Sequence, residues 1–212
     1  MDAWHFPPYA YALMLATLLA CGVAAVAWPR RSAPGGTAFV LMMVATATWV
    51  LFRLLEAIAV EPSAKIYWAR FEYLGIGAVP VLWYLFTRQY ARRDRTRPGL
   101  GPAWLWIVPA AALVLAISNE QHGWLWGEIK PASEQAGAHL IYAHGPGFWV
   151  IALYNYLLVL VGTVTLLGAI LSGKKVDRRQ AISLLAGAMV TWIANMAYLS
   201  GFAPVPGLDP TP

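Results

Sequence analysis

Six apolar runs, each close to the length of a lipid-spanning helix, restrict this chain more than anything else in its sequence. They read as residues 9–28, 37–60, 65–90, 103–118, 147–172 and 180–202, and a bilayer takes about 20 residues of helix to cross. In hydrocarbon every backbone polar group needs an internal partner, so runs of this kind fold as α-helices packed side by side. The expected fold class is an all-α, polytopic membrane bundle with six transmembrane helices, forming a single domain over 1–212. The fourth run is short, and Trp124, Leu125 and Trp126 extend it only past Asn119, which predicts a stub helix with an interfacial Trp cluster.

Charge is sparse and gathered between the runs. Only 12% of residues are charged and 59% are hydrophobic, whereas a soluble domain has about a quarter of its residues charged. The net charge of +5 is therefore a matter of topology and not the footprint of a nucleic-acid binder. Arg30 and Arg31 follow the first run, Arg88, Arg92, Arg93, Arg95 and Arg97 the third, and Lys174, Lys175, Arg178 and Arg179 the fifth. The alternate connections, Glu61 to Lys65 and Asn119 to Pro146, hold few basic residues and several acids. The positive-inside rule then places the N-terminus outside and the 119–146 loop outside. No basic n-region precedes the first run, so it reads as a retained helix and not a cleaved signal peptide. Cys21 is the single cysteine and reads as a small hydrophobe. Six spans that begin outside also end outside, at the proline-rich tail 204–212, which predicts either a complete six-span protein or one whose seventh span is absent.

Four full charges fall inside the second and third runs: Arg53, Glu56, Arg70 and Glu72. An ionisable group there costs about 2.5–3.5 kcal/mol on insertion scales, so it faces the bundle interior and often has a role. With about 1.5 Å of rise per residue, Glu56 and Arg70 lie about 6–8 Å below the outer ends of their helices, and Arg53 and Glu72 about 10 Å below. Opposite charges thus match in depth. Arg53 and Glu56 share a helix face, whereas Arg70 and Glu72 are about 200° apart and cannot both face the second run. One cross-helix ion pair is expected, with the fourth charge turned elsewhere. A buried pair that sets helix register and snorkelling to the surface are the readings that compete with ligand binding.

Tyr154, Asn155 and Asn195 fall in the same outer layer, where interhelical hydrogen bonding is the alternative to ligand contact. The inner halves hold little that is comparable, which favours an outward-opening cavity over a polar path across the membrane. In the outer loop, Asn119, His122 and Trp126 are candidate covering residues, and the alternation over 138–143 predicts one strand of a short hairpin over the bundle, a lid. His122, His139 and His144 have spacings that fit no standard metal pattern, so no metal and no cofactor are expected. Gly75, Gly77 and Pro80 lie within two turns of the third run. They read as close packing around a proline-freed carbonyl or as a hinge carrying motion toward Arg88. Nucleotide loops, dinucleotide fingerprints and nucleophile elbows are absent from the sequence, and the inner loops are too short for a catalytic domain.

Several segments carry a resemblance: Leu55-Glu56, Arg70-Phe71-Glu72-Tyr73-Leu74-Gly75, Pro80 followed by Phe86-Thr87-Arg88-Gln89-Tyr90, and Asn119 with His122-Gly123-Trp124-Leu125-Trp126. To these are added Gly145-Pro146-Gly147-Phe148-Trp149 with Tyr154-Asn155-Tyr156, Arg179-Gln180, and Pro206 through Pro212. In this order the chain, from about Trp49 onward, resembles the N-terminal seven-transmembrane sensor region of bacterial and archaeal histidine kinases. The resemblance implies a sensory input module in the bacterial inner membrane, non-enzymatic itself, whose seventh helix leads to cytoplasmic kinase or cyclase domains. It further implies that Asp209-Pro210-Thr211-Pro212 stands at the entry to that helix.

The reading that follows is a receptor module binding a small ligand of undefined chemistry among the second, third, fifth and sixth spans. Its partners are the lipid bilayer, that ligand, an output kinase or cyclase in cis or in trans, and a second copy of the chain as a homodimer. Nucleic acid is not among them. A small transporter or channel is the alternative, and it predicts polar groups continuing to the inner face. An intramembrane enzyme pairing Glu72 with a loop histidine is a third reading. A retinal-type receptor would need a Schiff-base lysine deep in a span, and the sequence places no lysine there.

Overall fold

Proline and glycine set the helix boundaries. In the computed structural model, α1 (Pro8–Ala27) opens with Pro at its first position, where the missing N–H costs nothing, and runs into a 3₁₀ turn at Trp28–Arg30. α2 spans Gly36–Ile58. α3 spans Pro62–Arg92 and, at 31 residues, is about 46 Å long. A 3₁₀ turn at Ala103–Trp106 leads into α4 (Ile107–Ile117), and the four-residue α5 (Asn119–His122) follows at once. Strands β1 (Trp126–Pro131) and β2 (Leu140–His144) precede α6 (Pro146–Leu171) and α7 (Arg178–Leu199). The structure describes residues 4–92, 100–133, 135, 137–172 and 178–199, with backbone alone at 92, 178, 191, 192 and 194–199.

α3 is the axis of the bundle, packed by α2, α4 and α6. Its pairing with α2 is antiparallel, as three contacts along the pair show. Lys65 reaches the Glu56 carbonyl, Phe52 stacks near Trp68 and Phe71, and Phe39 meets Phe86. One core cluster centres on Val81, Leu82, Trp83, Leu85 and Phe86. A second joins Ala69 and Tyr73 of α3 to Ala112 and Ala116 of α4, to Ile151 of α6, and to Leu125 and Trp126 at the start of the hairpin. Large apolar side chains on the outside of α1 and α6, Leu18, Val26, Val150, Leu153 and Val164 among them, are exposed. That inside-out distribution is what a lipid environment accommodates.

Among the described residues, three helices are long and apolar enough to cross a membrane: Pro8–Arg30 with its 3₁₀ extension, Gly36–Ile58 and Pro146–Leu171. Ala103–Ile117 and Arg179–Val190 are shorter apolar helices, and α3 carries its charges at both ends. α3 starts three residues before the expected 65, because Pro62 suits a first helical position. The expected strand over 138–143 is β2, which pairs antiparallel with β1 in the register Ile129↔Tyr142 and Pro131↔Leu140, with an irregularity between Trp126 and Ile129. The interfacial Trp cluster is divided. Trp124 is exposed, but Trp126 is buried, because the chain turns after α5 and lays Trp126 against Tyr73 and Tyr142.

The side chain of Asn195, the tail 200–212 and, in the basic loops, Arg93, Arg95, Arg97, Lys174 and Lys175 lie outside the described residues.

Candidate functional site

Arg53 and Glu56 sit one helical turn apart on α2 and form an ion pair. The same guanidinium nitrogen lies 4.0 Å from Glu72 of α3. Glu56 is only 3% exposed. Its other carboxylate oxygen accepts a hydrogen bond of 2.8 Å from the Tyr142 hydroxyl of β2, across 86 residues of chain. Burial, and then the negative charge of Glu56, push the Tyr142 phenol upward from its ordinary range, so it is a neutral donor. Lys65, 1% exposed, donates to the carbonyls of Glu56 at 3.1 Å and Ala57 at 3.3 Å. These belong to the last turn of α2, where carbonyls lack helical partners and the dipole is negative. Two acids and two bases therefore meet in one partly buried knot.

The depth match between Arg53 and Glu72 corresponds to the contact at 4.0 Å. The match between Glu56 and Arg70 does not become a pair. Arg70 is turned about 200° from Glu72 and pairs instead with Glu120 of α5. Glu120 is exposed, so that tie sits at the surface and is weak. The loop 119–146 thus has two polar ties to the charged helices, a firm one through Tyr142 and a loose one through Glu120.

Asn119 is spent on the loop itself. Its Oδ1 accepts from the Leu125 and Trp126 amides, both at 2.9 Å, and its Nδ2 donates to the Trp126 carbonyl at 2.8 Å. A buried amide so employed fixes the turn that carries Trp126 inward. His122 is exposed; its Nδ1 accepts from the Trp124 amide at 3.0 Å, and its Nε2 lies 3.0 Å from the Ser118 hydroxyl. Both ring nitrogens are engaged locally.

Tyr154 and Asn155, adjacent on α6, answer two carbonyls that prolines leave without a helical donor. Pro80 has no N–H for the carbonyl four residues back, Ile76, and Asn155 Nδ2 donates to that oxygen at 3.3 Å. Pro109 leaves the Leu105 carbonyl in the same position, and the Tyr154 hydroxyl donates to it at 2.6 Å. One turn of α6 thereby satisfies a carbonyl of α3 and one of the 3₁₀ turn that leads into α4. Gly75 and Gly77 allow close approach on opposite sides: a Cβ on Gly75 would meet the Ala45 carbonyl oxygen at 2.6 Å, and one on Gly77 would meet Pro109 Cβ at 2.9 Å. The three expected hinge residues are packed against neighbours on two faces, with the proline gap bridged.

Sequence reasoning passed over Lys65 and Tyr142. A lysine in the first turn of a helix opposes the dipole, and that anomaly pointed to a partner at the adjacent end of α2. Strand alternation places Leu140, Tyr142 and His144 on one face, and these three are less exposed than Ile141 and Ala143. Either signal was available before the fold.

Among known families, the model for the N-terminal 7TM region of histidine kinase matches residues 12–212 of the chain. No curated protein and no solved structure matches it.

Proposed function

The chain belongs to the family of N-terminal seven-transmembrane regions of histidine kinases, and from that premise we propose that the knot around Glu56 is its sensing element. The family is a membrane-embedded sensory region and not the catalytic domain, so its partners are a lipid bilayer and a kinase output domain. In this reading six spans cross the bacterial inner membrane with the N-terminus and β-hairpin outside. A small ligand competes for Arg53, Glu56, Arg70 or Glu72, and the output is a kinase or cyclase in cis or in trans.

The observation that carries the reading is the Tyr142–Glu56 bond. It joins the β-hairpin to a buried carboxylate already held by Arg53. A ligand that takes either partner exchanges one internal bond for an external one, and the hairpin settles differently on α3. Only a difference in affinity between the two packings produces a signal. Asn119, Tyr154 and Asn155 act as positioning residues, while His122 and Trp126 shape the cover. Asn195 remains a candidate ligand contact in α7. α3 runs from this knot to Arg88 and so offers a continuous route inward.

The test is Tyr142→Phe in the chain fused in frame to a histidine kinase output, reconstituted in proteoliposomes. Loss of one net hydrogen bond biases a two-state equilibrium by about fivefold, and basal autophosphorylation shifts by that order. An unchanged basal level in a folded Tyr142→Phe fusion removes this bond from signalling.

A further inference from the structure

The end of α2 away from the charged knot holds a cavity of about 520 Å³, within the roughly 300–1,000 Å³ of small-molecule sites. From Glu56 to its rim at Thr37 is about 28 Å along the helix, so this site is separate from the sensing element. Its wall is built by the turn between α1 and α2, with Trp28, Arg31 and Thr37, by Val40 and Leu41 of α2, and by Gln89 of α3. Gly35 makes the turn possible: its φ is 79°, and a Cβ there would meet the Phe86 ring at 2.9 Å. Arg31 is held in place on this rim. Its guanidinium lies 4.4 Å over the Trp28 ring, and Nη1 donates to the Trp28 carbonyl at 3.0 Å.

The cavity's charge is one-sided. Arg31 is a full positive charge, and among the described residues none of the lining carries a carboxylate. The N-terminus of α2 opens at the same turn and adds the positive end of its dipole. A guanidinium presents five donors in a fork suited to phosphate oxygens, and only one bond of Arg31 goes to the Trp28 carbonyl.

We propose that this cavity binds the phosphate group of an anionic amphiphile, with Arg31 on the phosphate and the apolar remainder running along Val40 and Leu41. Trp28 and Arg31 stand at the end of α1, one of the three membrane-crossing-length helices, where an interfacial Trp and a basic residue meet headgroups. Val44, one turn beyond Val40 on α2, is exposed, as is Val26 of α1. That apolar surface favours a lipid of the adjacent leaflet over a soluble phosphate.

The experiment uses the full chain in detergent micelles and counts retained lipid by native mass spectrometry. Phosphatidylglycerol is compared with phosphatidylcholine, with and without inorganic phosphate. The wild-type chain is expected to retain phosphatidylglycerol preferentially. Arg31→Gln lowers that preference about fivefold, the effect of one basic group at a headgroup, whereas Arg30→Gln, outside the lining, preserves it. Leu41→Trp, which fills the cavity without touching the charge, lowers retention as well. A preference unmoved by inorganic phosphate assigns the phosphate to a lipid, and displacement by inorganic phosphate assigns it to a soluble anion at the same groups. Equal retention of the two lipids, or a preference that survives both Arg31→Gln and Leu41→Trp, overturns the site.

Discussion

The two ends of the α2–α3 pair handle charge in opposite ways. At the hairpin end, Arg53, Glu56, Glu72 and Lys65 are answered by one another, by Tyr142 and by helix carbonyls. At the other end, Arg31 stands over Trp28 on a hollow rim whose described lining contains no acid. Buried charge must be satisfied from within, since desolvation costs several kcal/mol per ion. Charge at a headgroup level is satisfied by whatever surrounds it. One end therefore acts by exchanging internal bonds, and the other by taking a bond from outside.

This contrast breaks first at Glu56. Glu56→Ala removes the carboxylate that pairs with Arg53 and accepts from Tyr142, and removing one partner of a buried pair costs about 3–5 kcal/mol. Thermal unfolding in micelles should show the largest loss of any substitution considered, and a loss under 1 kcal/mol would mean the knot is solvated. Asn155→Leu comes next. It orphans the Ile76 carbonyl beneath Pro80, at about 1–3 kcal/mol, and amide exchange should rise around α3 residues 76–80. Tyr154→Phe is the matching variant for the Leu105 carbonyl, and exchange there should rise near α4 instead.

Tyr142→Phe is smaller, about 1 kcal/mol at neutral pH, and its pH dependence sharpens the comparison. The folded phenol titrates above its ordinary value of about 10, so between that value and the folded one only the unfolded chain loses the proton. The Tyr142 contribution to wild-type stability holds up to about pH 10 and then declines, and Tyr142→Phe lacks that component. The gap between the two narrows in alkali, and a gap that widens there would contradict a buried donor. The smallest effects are at the surface. Glu120→Gln changes stability by less than about 1 kcal/mol, and Arg31→Gln by about 0.5 kcal/mol or less. If Arg31→Gln unfolds the chain as Glu56→Ala does, the two ends are not different in kind.

Much of the hairpin end was legible from spacing. The helical rise alone set Arg53 level with Glu72, and the 200° between positions 70 and 72 turned Arg70 away from α2. What spacing does not contain is the third element. Tyr142 and Glu120 come from a loop whose path depends on Asn119 tying the backbone at Leu125 and Trp126, and nothing in the local sequence states how far that loop folds back. Asn155 shows the same boundary. That Pro80 frees a carbonyl follows from the residue itself, but which helix supplies the donor follows only from packing.

The membrane class, the helices, the cost of charges within them and the family were all legible in the chain, because apolar length, proline and charge act through local backbone chemistry and solvent. The tertiary structure alone decided which charge meets which. It sent Lys65 to the end of α2, Tyr142 to Glu56, Arg70 to Glu120, and Asn155 to Ile76. A buried polar group takes whichever partner comes within about 3 Å, and that distance is set by how the helices and the hairpin pack.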